Sequence, residues 1–565
     1  MTPTHARDFR LQLKSSAAIA VLILAALALA GCDQPGEPHQ DAKGKDTPSS
    51  KIAEREETLA RGEVAAADAA AEAFAPPPPR VTLPSAPEVR DKYPDVKPNP
   101  VKLVSEEPVS TFSADVDTAS YAVVRRYLTE GMLPPTDAVR LEEMINYFDY
   151  NYALPETKAQ PFRPTVNLYA TPWNPDTQIV HIGIKGFDIP RAERPSANLV
   201  FLLDVSGSMD EPNKLPLVKK AMRLLVDELD AKDRVSIVVY AGAAGIVLEP
   251  TSGADKGKIL AALDNLSAGG STAGAEGIRQ AYQLARTSFV KSGVNRVILA
   301  TDGDFNVGIT DPKHLEDFVA HERESGVTLS VLGFGSGNYN DALMQTLAQK
   351  GNGNASYIDT LNEARKVLVD QIGGTLFTIA KDVKFQVEFN PARVSEYRLI
   401  GYETRLLNRE DFNNDKVDAG DIGAGHTVTA LYEIVPAGSN GHLMDPLRYQ
   451  KATPVPSPTG ASGEIGFLRM RYKLPNGDKS LLIERPITDA DRLSDVSKAP
   501  EDFRFAVSVA GFGQLLRRDP YMKDFDFKDV IALASSAKGA DPFGYRSEFV
   551  QLVRTAQSSP ALQPL

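Results

Sequence analysis

The stretch FLLDVSGSMDEPNK, Phe201–Lys214, decides how this chain is read. An apolar run ends in Asp204, and Ser206 and Ser208 follow at steps of two with Gly207 between them. If the run is a buried strand, the Asp204 carboxylate stands at the carboxyl edge of a sheet, where open α/β folds bind their ligands. In a tight loop, residues two apart can turn the same way, and Gly207 permits the bend. Asp204, Ser206 and Ser208 then converge. One carboxylate and two neutral hydroxyls make a hard-oxygen cluster, suited to Mg²⁺, Mn²⁺ or Ca²⁺ rather than zinc. Three chemistries are open on these residues alone: a serine nucleophile, an aspartyl nucleophile, or a cation cage.

Around this stretch, residues 196–375 alternate regularly between β and α patterns. NLVFLLD, RVSIVVYA, NRVILATD and VTLSVLGFG read as buried parallel strands. Between them lie helical segments such as KLPLVKKAMRLLVDEL, with Val218, Met222, Leu225 and Leu229 on one face. The pattern predicts a doubly wound parallel sheet, Rossmann-like in layout, with its strand ends on a common edge. Two further pieces reach that edge. SAGGSTAGAEG sets Thr272 behind a Gly-Gly turn at a helix start, and VILATDGDFN sets Asp302 at the end of another buried strand.

The flanks read differently, which makes the chain a multidomain α/β protein. Residues 102–195 predict a small α+β unit, with helices in DTASYAVVRRYLTEG and DAVRLEEMINYFDY, each opening on a capping aspartate. Residues 380–565 predict a β-rich domain of alternating strands with three closing helical segments. Residues 33–101 are polar and proline-laden, with APPPPR at 75–80, and read as a disordered tether. A flexible chain of that length spans roughly 50 Å. Residues 1–32 run from a basic start into an apolar stretch ending Leu29-Ala30-Gly31-Cys32. That is a secretory signal, too short to favour a spanning helix. The net charge of −12, from 62 Lys+Arg and 74 Asp+Glu, comes with no basic stripe, which argues against a nucleic-acid partner.

The edge cluster resembles the metal-ion-dependent adhesion site (MIDAS) of the von Willebrand factor type A (VWA) family. DVSGS is similar to its D-x-S-x-S element, STAG to its threonine loop and TDG to its second aspartate. The resemblance implies Ser206, Ser208 and Thr272 as hydroxyl ligands, with Asp204 and Asp302 acting directly or through water. The implied cofactor is a divalent cation, Mg²⁺ foremost. Two carboxylates leave it under-neutralised, and the implied occupant of its open position is an Asp or Glu carboxylate from a protein partner. That is binding, not catalysis, so no catalytic residue is implied. STFSADVDTASYAVVRRYL and DFNNDKVDAGDIGAGHTVTALYEI resemble the flanks of a bacterial lipoprotein subfamily with a C-terminal domain of unknown function. LAGC resembles a lipobox, which implies lipid attachment at Cys32 and a periplasm-facing place in the cell envelope. Several acyl chains would hold where a single one would not. Asp33 resembles the inner-membrane retention signal of enterobacterial lipoproteins. A linked expectation is that the flanking units cover or orient the open edge.

The rival readings are weaker on the residues. VSGSM is not a G-x-S-x-G elbow, and none of the seven histidines falls at a strand end beside Asp204. A phosphatase of the haloacid-dehalogenase type needs a second aspartate two residues on, where this chain has Ser206. Asp117 in ADVDTAS reads as a helix N-cap. A type A fold without metal, acting as a scaffold, is the third alternative. DFNNDKVDAGD, Asp411–Asp421, lacks the glycine and glutamate of a calcium loop and reads as a solvated turn. Asp304 reads as a turn residue, Asp210 and Glu211 as solvated, His314 and His321 as a surface pair, and Trp173 as a core anchor.

Overall fold

A computed structural model describes residues 91–271, 274–303, 312–445, 448 and 463–560. Cys32, Asp33 and residues up to 90 lie outside the described residues, as do Thr272 and Asp304. Residues 91–101 of the expected tether are instead packed, with Val96 and Val101 buried and Asn99 Nδ2 donating to Gly401 O at 2.7 Å.

The central sheet follows from runs of apolar residues with no polar alternation, as strands covered on both faces require. β5 (Ala197–Asp204) is buried along its whole length. β6 (Arg234–Tyr240), β8 (Val294–Thr301), β9 (Thr328–Phe334) and β10 (Ala355–Ile358) run parallel to it, and β7 (Ala244–Ser252) closes one edge antiparallel. The order is β10-β9-β8-β5-β6-β7, so the chain reverses direction across the sheet between β5 and β8. This is the doubly wound parallel sheet the sequence predicts, with one antiparallel strand added. α3 (Leu215–Glu228) buries Val218, Met222 and Leu225 on one face, as its spacing requires. α5 (Gly274–Thr287), α6 (Pro312–Arg323) and α7 (Asp341–Lys350) help cover the other face.

The flanks do not form separate sheets. β3 (Thr165–Thr171) and β4 (Asn174–Lys185) come from before the central domain, while β12 (Val394–Ile400) and β14 (Thr427–Pro436) come from after it. They share one antiparallel sheet, β1-β12-β14-β4-β3, with β1 (Lys102–Leu103) at its edge. A second sheet is built on β11 (Thr378–Phe389), which pairs with β2 (Val109–Ser113), β13 (Gly420–Gly423) and β15 (Glu464–Lys473), and β16 (Ser480–Thr488) pairs with β15. Phe112, Phe385, Tyr402 and Tyr432 pack between the two sheets. Helices α2 (Leu141–Asn146), α10 (Glu501–Leu516), α11 (Phe527–Ser536) and α12 (Tyr545–Ser558) share a core with the outer face of the first sheet. Trp173 is buried there, its Nε1 donating to Glu433 Oε2 at 3.1 Å.

α1 (Ala119–Thr129) ties the flanks to the central domain. Ala119, Ala122, Val123 and Tyr127 join the core of the parallel sheet. Its Arg125 donates to Glu363 Oε2 and Glu548 Oε1, each at 2.7 Å, joining the central domain to α12. Asp117 corrects the capping expectation. α1 starts after Thr118 without a side-chain cap, and the Asp117 carboxylate instead accepts from Ala355 N and from Arg405, both far away in sequence. Asp137 lies in a short 3₁₀ turn ahead of α2 and does not cap it either. Among the described residues no helix is long and apolar enough to cross a membrane.

Candidate metal centre

Asp204 ends β5 at the point where the winding reverses, between Tyr240 at the end of β6 and Thr301 at the end of β8. Asp302 follows Thr301, so strand geometry alone brings the two carboxylates to neighbouring places on one edge. Both are fully buried. Asp204 Oδ1 accepts the Ser206 amide at 2.9 Å, and Thr301 Oγ1 lies 3.4 Å from Asp204 Oδ2. The turn that follows brings the hydroxyls of Ser206 and Ser208 to 3.1 Å of each other, with Ser206 buried and Ser208 exposed. The alternate residues thus converge as the sequence predicts.

Backbone bonds lock this loop to the one that carries Thr272. Gly269 N donates to Val205 O at 2.8 Å and Gly207 N to Gly270 O at 3.0 Å. The threonine itself lies outside the described residues, but Gly270, two residues before it, is bonded to the D-x-S-x-S turn. Gly303, after Asp302, has φ +97°, and a Cβ there would stand 2.6 Å from Asn340 N, so only glycine lets the Asp302 turn approach that backbone. The Asn340 loop is in turn held from the N-terminal side. Asp91 Oδ1 accepts Gly337 N at 3.1 Å and Tyr339 N at 3.0 Å.

The donor set fits a hard divalent cation. Burial pushes the Asp204 carboxyl up to about 6, and the Asp302 charge beside it pushes the same way, against the hydrogen bonds from Ser206. Two carboxylates kept from water on one edge favour positive charge beside them, which a cation with oxygen preferences can supply. Among the described residues no group of three or more His, Cys, Asp or Glu side chains could hold a metal. The serine-nucleophile reading gains nothing from His181, which is sealed between the Tyr152 and Tyr169 hydroxyls at 2.9 and 3.0 Å, away from solvent.

One neighbour of Asp302 escaped the sequence reading. Lys214, which opens α3, is buried, and its Nζ lies 3.1 Å from Asp302 Oδ2. The only local signal was a lysine ten residues after Asp204, at a helix start. Asp210 and Glu211 are exposed, and so are His314 and His321.

Three family models match the chain in succession: von Willebrand factor over residues 87–181, von Willebrand factor type A domain over 198–371, and the C-terminal domain of the uncharacterized protein YfbK over 374–559. The uncharacterized protein YfbK of Escherichia coli (strain K12) is 47% identical over 471 residues, which cover 82% of this chain and 81% of that protein. The chain belongs to the YfbK family of VWA proteins. A shorter match, to the uncharacterized protein sll0103 of Synechocystis, is 34% identical over 167 residues and covers 30% of this chain and 39% of that protein. Among solved structures, a von Willebrand factor type A protein from Catenulispora acidiphila covers 72% of this chain and 91% of its own, at 16% identity and a TM-score of 0.38. Proximal thread matrix protein 1 from the mussel byssus, solved with a zinc-occupied MIDAS motif, covers 31% of this chain and 45% of its own, at 24% identity and a TM-score of 0.26.

Proposed function

We propose that this YfbK-family chain is a lipid-anchored protein of the bacterial cell envelope that binds a protein partner through a divalent cation. Asp204, Ser206, Ser208, Thr272 and Asp302 would hold the ion, with Mg²⁺ the first candidate. The observation that carries this reading is the pairing of two buried carboxylates with two serine hydroxyls 3.1 Å apart at the reversal point of the sheet. When bound, the cation supplies an electrophilic position for a carboxylate from the partner. The chain's own residues fix that position: strand ends aim the carboxylates, and exposed Ser208 marks the solvent side. Ser206 stands where a phosphatase of this layout needs its acid, so the reading is binding and not hydrolysis. The Asp91 hold on the Gly337–Tyr339 loop supports the idea that chain ahead of the central domain orients the same edge. Attachment through Cys32, facing the periplasm, completes the proposal, with Asp33 pointing to the inner membrane.

One observation favours a second reading, a VWA scaffold without metal. The Lys214 ammonium already provides a positive charge at Asp302.

Thermal unfolding of the full chain in EDTA and in Mg²⁺ or Mn²⁺, beside Asp204→Ala, separates the two. A ligand at a hundred times its Kd stabilises the native state by about 2.7 kcal/mol. The proposal expects that gain in the native protein and none in the variant. The scaffold reading expects no gain in either. A phosphate-release assay on the same samples is expected to show no turnover.

A further inference from the structure

Lys214 is the part of this edge that the motif does not assign. Its ammonium lies 3.1 Å from Asp302 Oδ2, with the two side chains 5% and 0% exposed. The stem reaches there across Gly335, where φ is +75° and a Cβ would stand 2.5 Å from Lys214 Cε. The backbone conformation favours glycine beneath the lysine. On the other side, Glu211 Oε1 stands 3.8 Å from the same ammonium and is 61% exposed. One buried ammonium therefore sits between an inner carboxylate, which belongs to the cation set, and an outer carboxylate that faces solvent.

We propose that Lys214 is a resident cation of the centre, displaced from Asp302 toward Glu211 when a divalent ion binds. This rests on the cation reading above and adds a control to it. Asp204 and Asp302 together offer at most two negative charges. The ammonium or a dication can be matched by them, but both at once would place like charges in a buried cage, where repulsion is strong. The two cations exclude each other. Divalent binding is then weakened by the work of moving the lysine. Loading also changes the rim, because the displaced ammonium arrives beside Glu211, on the side from which a partner's carboxylate would approach.

The test uses the wild-type full chain. Amine acylation is followed by peptide mass spectrometry in EDTA and in saturating Mn²⁺, with exposed Lys528 as the internal reference. Calorimetric Mn²⁺ titrations of the wild type and Lys214→Met run alongside. Lys214 is expected to label several-fold faster with Mn²⁺ bound, while Lys528 does not change. Lys214→Met is expected to bind Mn²⁺ at least about tenfold tighter, because the like-charge contact it removes is worth more than one tenfold step. Asp204-dependent Mn²⁺ binding with unchanged Lys214 labelling and equal affinities would overturn this inference and leave the cation reading standing. No Mn²⁺ binding by either protein at millimolar concentration would bring down both. Should Lys214→Met fail to fold, the wild-type labelling decides alone.

Discussion

The edge at Asp204–Ser208 and the loop at Asp411–Asp421 are both dense in oxygen donors, and each receives a buried lysine. At the edge, Lys214 meets a side-chain carboxylate, Asp302. At the loop, Lys384 donates to the backbone carbonyls of Asp411 and Asn414, at 3.1 and 2.6 Å. The acids of the loop are engaged elsewhere. Asp415 accepts from Arg471 at 2.9 Å and Ser480 at 2.6 Å, and Asp411 accepts the Asn408 amide at 3.1 Å. Strand ends converge carboxylates into a buried place whether or not a cation is there, whereas Asp411 and Asp415 of the loop each find a separate partner. Oxygen density in a sequence therefore points to a cation only when rigid elements aim the donors inward.

The sharpest way to break this comparison is to remove each lysine. Lys214→Met is expected to cost about 3–5 kcal/mol in EDTA, because it leaves a buried carboxylate without its counter-charge. Mn²⁺ should restore much of that loss in a thermal or urea scan. Asp204→Ala should instead abolish the metal-dependent gain of about 2.7 kcal/mol at a hundredfold excess over Kd. Lys384→Met is expected to cost about 1–3 kcal/mol for two lost charged hydrogen bonds, the carbonyls keeping the Asn414 and Val417 amides, with no recovery in Mn²⁺ or Ca²⁺. Recovery there would erase the distinction between the two regions.

Glu142 gives the comparison a third case, a buried carboxyl whose counter-charge is a proton. It accepts the Tyr402 amide at 2.9 Å, and burial, then the nearby Glu403 charge, push it up to about 8. Between its unfolded value of 4.5 and about 8 the native state holds the extra proton, so this group's contribution to stability falls as pH rises through that window. The slope is at most about 1.4 kcal/mol per pH unit, and Glu142→Gln should flatten it in urea titrations at several pH values.

The central sheet and the described members of the candidate site were legible because their signals are local. Four apolar runs became parallel strands, and the step of two in Asp204-Val205-Ser206-Gly207-Ser208 became convergence. Thr272, read from its place behind the Gly-Gly turn, lies outside the described residues. β7 and β10 were not read. β7 mixes exposed Ile246 and Val247 with Pro250, as an edge strand can, and β10 spans only four residues. The interleaving of the two flanks left no local trace, because β4 pairs with β14 across some 250 residues, as in Leu431↔His181. Asp117 misled for the same reason: an aspartate before a helix has the composition of a cap, while its partner, Arg405, is 288 residues away. Lys214 was invisible as a site residue until β8 placed Asp302 beside it.

The most direct measurement of the central claim is a calorimetric titration of Mn²⁺ into the EDTA-treated full chain, with Asp204→Ala titrated in parallel. A saturable single site in the native protein, absent from the variant, is the expected result. Heat that never saturates, or that is identical in both proteins up to millimolar Mn²⁺, would contradict the claim that this edge is a cation centre.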